Sequence, residues 1–177
     1  MRKSGDSLST GEARSSYVEF EERAAEIYLN FARRFRDNAD LSGFWLGMCM
    51  AEQQHAIVLS FCECQHLLSD NLPTDSPGDH DLSELFRNLE TRAAHPNLTV
   101  DHAFMIAAEL EGSEINAIYE RLVAPVQGTS YLTRKKIETL GENHVHAIAQ
   151  AARRFGASDS VLGQLAQLEH KEYDLKF

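Results

Sequence analysis

Positive charge is scarce in this chain. Lys and Arg number 17 against 27 Asp and Glu, for a formal net charge of −10 over 177 residues. No basic cluster exceeds the three residues of "TRKKI" (133–137). A chain of this balance is a poor ligand for nucleic acid or an anionic membrane. Long apolar runs are also missing. No stretch approaches the roughly 18 residues a membrane helix needs, and the opening "MRKSGDSLSTGEARSS" has no apolar core of an export signal. The three cysteines (Cys49, Cys62 and Cys64) are odd in number, and no CxxC occurs. A disulfide framework or a Cys-ligated cluster is thereby disfavoured, and reduced thiols in a cytoplasm are expected. Proline is limited to four, three of them (Pro73, Pro77 and Pro96) in the middle of the chain.

What remains is helical periodicity. With 43% hydrophobic residues, one compact domain is expected. Residues 1–10 read as a polar tail. A first helix is expected over 11–36, with "STGE" (9–12) as a capping box. A second follows Asp40 and runs to about Leu68. "SDNLPTDSPGDHD" (69–81) has the composition of a loop and precedes a short helix over 82–94. A third long helix follows Thr99, a candidate N-cap, and ends near Val123 ahead of Pro125. A fourth occupies 130–155 and stops at Gly156. No strand-like alternation is visible, so the class is all-α. Four long helices with one long second-to-third connection describe a four-helix bundle with a crossover, over 11–156, as in ferritin-like folds. Residues 157–177 form a last amphipathic helix, placed either on the bundle or against a dimer partner.

Several acids and imidazoles fall on stripes that should be apolar. Glu21 shares a helical face with Ala24, Ala25 and Tyr28, whereas Glu22 and Glu26 do not. Glu52 and His55 interrupt the stripe of Trp45, Met48, Leu59 and Cys62. Glu111 and Glu114 interrupt that of Phe104, Ala107 and Ile118. His144 aligns with Ile137, Leu140, Ile148 and Phe155, whereas His146 shares the face of Glu142, Gln150 and Arg153. His66, near a helix end, is read as ordinary. Each interloper stands near the middle of its helix, so in an antiparallel bundle they converge. Unpaired buried carboxylates repel one another and are costly to desolvate, and no Lys or Arg stands on these stripes. A cation among them, or protonation, is required. Carboxylate and imidazole donors suit iron or manganese, with zinc also acceptable.

The residues resemble rubrerythrin and its ferritin-like relatives. The likeness rests on "EERAAEIY" (Glu21 to Tyr28), "EQQH" (52–55) and "EGSEINAIY", which carries Glu111, Glu114 and Tyr119. It spans roughly residues 12 to 156. It implies Glu21, Glu52, His55, Glu111 and Glu114 as ligands of two metal ions, with Glu114 as a mobile carboxylate and Tyr28 and Tyr119 beside the site. The family's second E-x-x-H is broken here: "LGENHVHAI" (140–148) has Gly141 three residues before His144. The bridging acid of that helix is therefore missing, which weakens the second metal site. Glu142 reaches inward only if the helix is distorted there, which an interior glycine eases, and His146 is the other candidate. The rubredoxin-like domain with paired CxxC motifs is absent as well. The function implied is a di-iron oxidoreductase that reduces peroxide, or consumes oxygen, with electrons from an external donor protein. A homodimer is expected. The alternatives are an iron-binding, ferroxidase-type protein and a metal-free helical-bundle interaction module.

Overall fold

A computed structural model describes residues 10–65, 78–113 and 144–175, all helix and turn, with no strand among them. The helices are α1 (Thr10–Arg34), α2 (Ala39–Cys64), α3 (Gly78–Ala93), α4 (Val100–Glu111), α5 (His144–Arg154) and α6 (Asp159–Leu175). No described helix is long and apolar enough to cross a membrane.

Local chemistry sets the ends. Between α1 and α2, Asn38 is the N-cap: its Oδ1 accepts the Leu41 amide at 3.1 Å. The Ser42 hydroxyl reaches back to the Ala32 carbonyl at 2.8 Å, which closes the hairpin. Thr99 caps α4 as its sequence position suggests, accepting from the His102 amide at 3.2 Å. α5 ends where expected, at Gly156, whose φ of +73° suits a residue without Cβ.

Two boundaries depart from the sequence reading. α3 begins at Gly78, four residues earlier than expected. α4 ends at Glu111, short of the Val123 expected, and residues 114–123 of that expectation lie outside the described residues. Gly112 is its C-cap, and the Ser113 hydroxyl bonds the Leu110 carbonyl at 2.6 Å. A glycine followed by a serine that takes a helix carbonyl is a local stop signal.

α1 and α2 pack along most of their length, and α5 touches both α2 and α4. Their shared interior is aromatic. Trp45 stacks on Tyr28 with centroids 5.7 Å apart and meets Phe31 and Phe104 edge-on or tilted at 5.0 and 4.9 Å. Each of these fully buried rings contributes roughly 1.5–3 kcal/mol of transfer free energy. Among the described residues the buried Trp45 Nε1 has no hydrogen-bond partner, which costs about 1–3 kcal/mol.

α3 is fastened to both sides of the molecule. Arg23 of α1 donates to both oxygens of Glu90 at 2.6 and 3.0 Å while its guanidinium lies 5.0 Å over the Phe86 ring. Arg92 of α3 forks onto Glu109 of α4 at 2.5 and 2.7 Å. The C-terminal helix α6 packs on α4 and α5, with Val161 and Leu165 fully inside. Its apolar stripe thus serves the chain's own core. The three cysteines are free, Cys49 and Cys62 buried and Cys64 exposed. Burial raises the thiol pKa of Cys49 and Cys62.

Candidate metal centre

The polar residues of the core stripes meet. α2 turns Leu41, Trp45, Met48, Glu52, His55, Leu59 and Cys62 inward, so the acid and the imidazole occupy the middle of a buried helical face. Glu21 of α1 and Glu111, the last residue of α4, are buried as well. His144 opens α5, and about 10% of its side chain is exposed.

Glu52 is the centre. Its Oε2 lies 3.0 Å from His55 Nδ1 and its Oε1 lies 3.1 Å from His144 Nδ1. Each imidazole nitrogen then faces a second carboxylate: His55 Nδ1 is 3.5 Å from Glu21 Oε2, and His144 Nδ1 is 3.6 Å from Glu111 Oε2. The two rings stack at 4.9 Å, inclined by 14°. The arrangement is nearly two-fold about Glu52, with α1 and α2 serving one half and α4 and α5 the other.

Glu111 is anchored from behind. The Tyr28 hydroxyl, fully buried, donates to Glu111 Oε1 at 2.6 Å. Burial first, and then the Glu111 charge, push the Tyr28 phenol well above its ordinary pKa, so it stays a donor. Tyr28→Phe is expected to lower the stability of the metal-free protein by about 1–3 kcal/mol, because a buried carboxylate oxygen loses its donor. Urea unfolding at neutral pH measures this.

Without a metal the cluster balances its own charge. For His55, burial opposes protonation, but bonds to Glu21 and Glu52 raise the pKa to about 10. His144 likewise overcomes burial through Glu111 and Glu52 and is raised to about 11. Burial would raise Glu52 too, yet the bonds from His144 and His55 hold it at about 2. Glu21 goes the other way: burial, aided by the Glu52 charge, lifts it to about 8 against the pull of His55. Of the two routes expected, a cation among the acids or their protonation, the second applies to Glu21, which keeps its proton at neutral pH, and protonated histidines within the chain supply the first. The two histidines serve as the cations, because both place Nδ1 on the acids across helix boundaries that periodicity does not reveal.

The donor set fits a metal. Two ligand atoms each about 2.1 Å from one ion, at a right angle, stand about 3 Å apart. The nitrogen–oxygen separations of 3.0 to 3.6 Å around Glu52 lie in or just above that range. Donor atoms of Glu52, His55 and His144 all lie within 4.8 Å of one another, so this buried group could hold an ion.

Five of the six expected ligands thus converge: Glu21, Glu52, His55, Glu111 and His144. Glu114 and Tyr119, with Gly141 and Glu142, lie outside the described residues. His146 stays on the surface, where it contacts Glu169 at 2.8 Å and Gln150 at 2.7 Å. Helical phase therefore chose correctly between the two histidines of "HVH". The resemblance put Tyr28 beside the site; that it donates to Glu111, on another helix, had no signal in the sequence. No family model, curated protein or solved structure matches this chain.

Proposed function

We propose that this chain is a two-metal carboxylate oxidoreductase of the rubrerythrin type, built on a ferritin-like bundle whose long second connection carries α3. The observation that supports it most is the buried carboxylate of Glu52, whose two oxygens each face a histidine Nδ1. Glu21, Glu52 and His55 would hold one ion, and Glu52, Glu111 and His144 the other. A ferrous pair, when bound, supplies the two electrons that reduction of a peroxide to water consumes. The chain's own residues do the rest. Tyr28 fixes the orientation of Glu111, and the histidine and Glu21 protons leave as the cations enter. An external donor would return the electrons. Iron-loaded protein should be oxidised by hydrogen peroxide far faster than a Glu52→Ala variant. Equal rates in the two proteins would sink the proposal.

A second reading draws on the internal charge balance. Histidinium and carboxylate close the cluster without any ion, which supports a metal-free bundle acting as an interaction module. Elemental analysis of protein purified without chelators decides between the two. Two equivalents of a transition metal per chain favour the oxidoreductase, and none favours the module.

A further inference from the structure

The outward side of α2 carries no formal charge. From Leu41 to Phe61 its only Asp, Glu, Lys or Arg is Glu52, which is buried. That side is apolar instead: Leu46 is 46% exposed, Met50 53%, Ile57 68% and Phe61 47%. At 100° per residue these four fall within an arc of about 60°, and a stripe of large exposed apolar side chains marks a contact surface. The neighbouring helix differs in kind. Glu19, Glu22 and Glu26 of α1 are exposed and share one face, again within about 60°. The two surfaces meet in a groove of about 520 Å³, where Glu22 and Glu26 stand across from Ile57 over Ala25 and Ala56.

We propose that the α1–α2 groove docks an amphipathic helix of a basic partner protein. The partner's apolar side lies on Met50, Ile57 and Phe61, and its Lys or Arg side chains run along Glu19, Glu22 and Glu26. Charge selects this occupant. A second copy of the chain, at net charge −10, would bring acid to an acidic edge, and an anionic membrane would be repelled in the same way. A helix with cations beside its apolar stripe gains at both walls. The apolar contact supplies affinity, while the acids speed encounter and fix which way round the helix lies. Glu26 shares its charge with Arg33 at 3.2 Å, so Glu19 and Glu22 exert most of the attraction. The partner's cations therefore belong toward the Phe61 end of the groove, away from the α1–α2 turn.

The dimensions suit a helix. From Met50 to Phe61 the apolar stripe runs about 16 Å, or three turns, which a partner helix of about twelve residues covers. The acids recur at three- and four-residue steps, the spacing at which a helix presents its own side chains along one face. Between the walls, Ala25 and Ala56 leave room for a large apolar side chain of the partner. Neither wall includes a residue of the Glu52 cluster, so docking and metal binding are separate properties.

Fluorescence anisotropy of the full chain with labelled synthetic peptides tests it, with far-UV circular dichroism as the control for folding of each variant. One peptide of about five helical turns carries a leucine stripe flanked by lysines. A second scrambles that composition, and a third replaces each lysine by glutamate. At about 0.15 M salt the ordered lysine peptide should bind at least about tenfold tighter than the scrambled one, and the glutamate peptide should not bind. Ile57→Glu should weaken binding at least about tenfold, because its charge is buried in the complex. Attraction by net charge alone would instead grow stronger in that variant. Glu22→Gln should weaken binding about two- to fivefold, whereas Glu84→Gln, the same charge change on α3, should leave it unaltered. Equal affinity for the ordered and scrambled peptides, indifference to Ile57→Glu, or equal losses from Glu22→Gln and Glu84→Gln would overturn the proposal. So would a dimer in sedimentation equilibrium that Ile57→Glu dissociates, or adsorption to phosphatidylcholine vesicles that it abolishes, since a second copy or a lipid surface would then occupy the face.

Discussion

Glu52→Ala is expected to abolish binding of both metal ions, whereas Glu21→Ala and Glu111→Ala should each remove one. The difference follows from the geometry. Glu21 lies 3.5 Å from His55 and Glu111 lies 3.6 Å from His144, whereas Glu52 places one oxygen on each histidine. Losing it leaves each half with one carboxylate and one imidazole, too few to hold a divalent cation against water. The fall in affinity should exceed the roughly 10–100-fold typical of losing a residue that merely orients a ligand. Equilibrium dialysis against manganese or zinc, with the metal counted per chain, reads this directly. Half-occupancy in Glu52→Ala would show that the two histidines bind ions independently.

The same substitution should also damage the metal-free fold. Two buried histidines would lose their shared counter-ion, and breaking a buried pair by removing one partner costs about 3–5 kcal/mol. The histidines would respond by shedding their protons.

Metal affinity is expected to climb steeply with pH while the stability of the metal-free protein declines. His55 and His144 have folded pKa values of about 10 and about 11 against an ordinary 6.5. Their contribution is complete below pH 6.5 and is lost as pH rises through those values. Glu21, raised from 4.5 to about 8, acts in the same direction. The folded chain keeps a proton that the unfolded chain releases, so stability falls between those two values. Glu52, held at about 2, has the opposite sign. Its contribution is present above pH 4.5 and disappears as pH falls toward 2. For this cluster the metal-free protein is therefore most stable in mildly acidic solution.

A metal reverses the alkaline limb. Both imidazoles and Glu21 must give up protons to become ligands, so filling both positions releases up to three at neutral pH. Each released proton adds about a tenfold gain in affinity per pH unit. Calorimetry in two buffers of different ionisation enthalpy counts the protons. Thermal melts should show a larger metal-induced shift at about pH 8.5 than at about pH 6. Proton release of zero would mean that the histidines are not ligands.

Much of the architecture was legible because burial imposes a period. The inward positions of α2 recur at three- and four-residue steps, and that rhythm alone put Glu52 and His55 in the core and separated His144 from His146. Caps were readable where a side chain acts on its own neighbours, as Thr99 does. The end of α4 was not read correctly, because apolar residues continue past Glu111 while the Gly112–Ser113 stop is local and easily discounted. The placement of α6 was also open, since its stripe suits a partner helix as well as the chain's own core.

The sequence by itself determined the class, the inward face of each described helix and the candidate donors, since these depend on residues a few positions apart on one element. Only the tertiary structure decided who faces whom. Glu52 became the shared carboxylate, Tyr28 the donor to Glu111, and the two histidines the cations that let three acids remain inside. Those relations join residues as far apart in the chain as Tyr28 and Glu111 or Glu52 and His144. They depend on relative helix position to within an ångström, and side-chain packing sets that distance whereas helical periodicity does not.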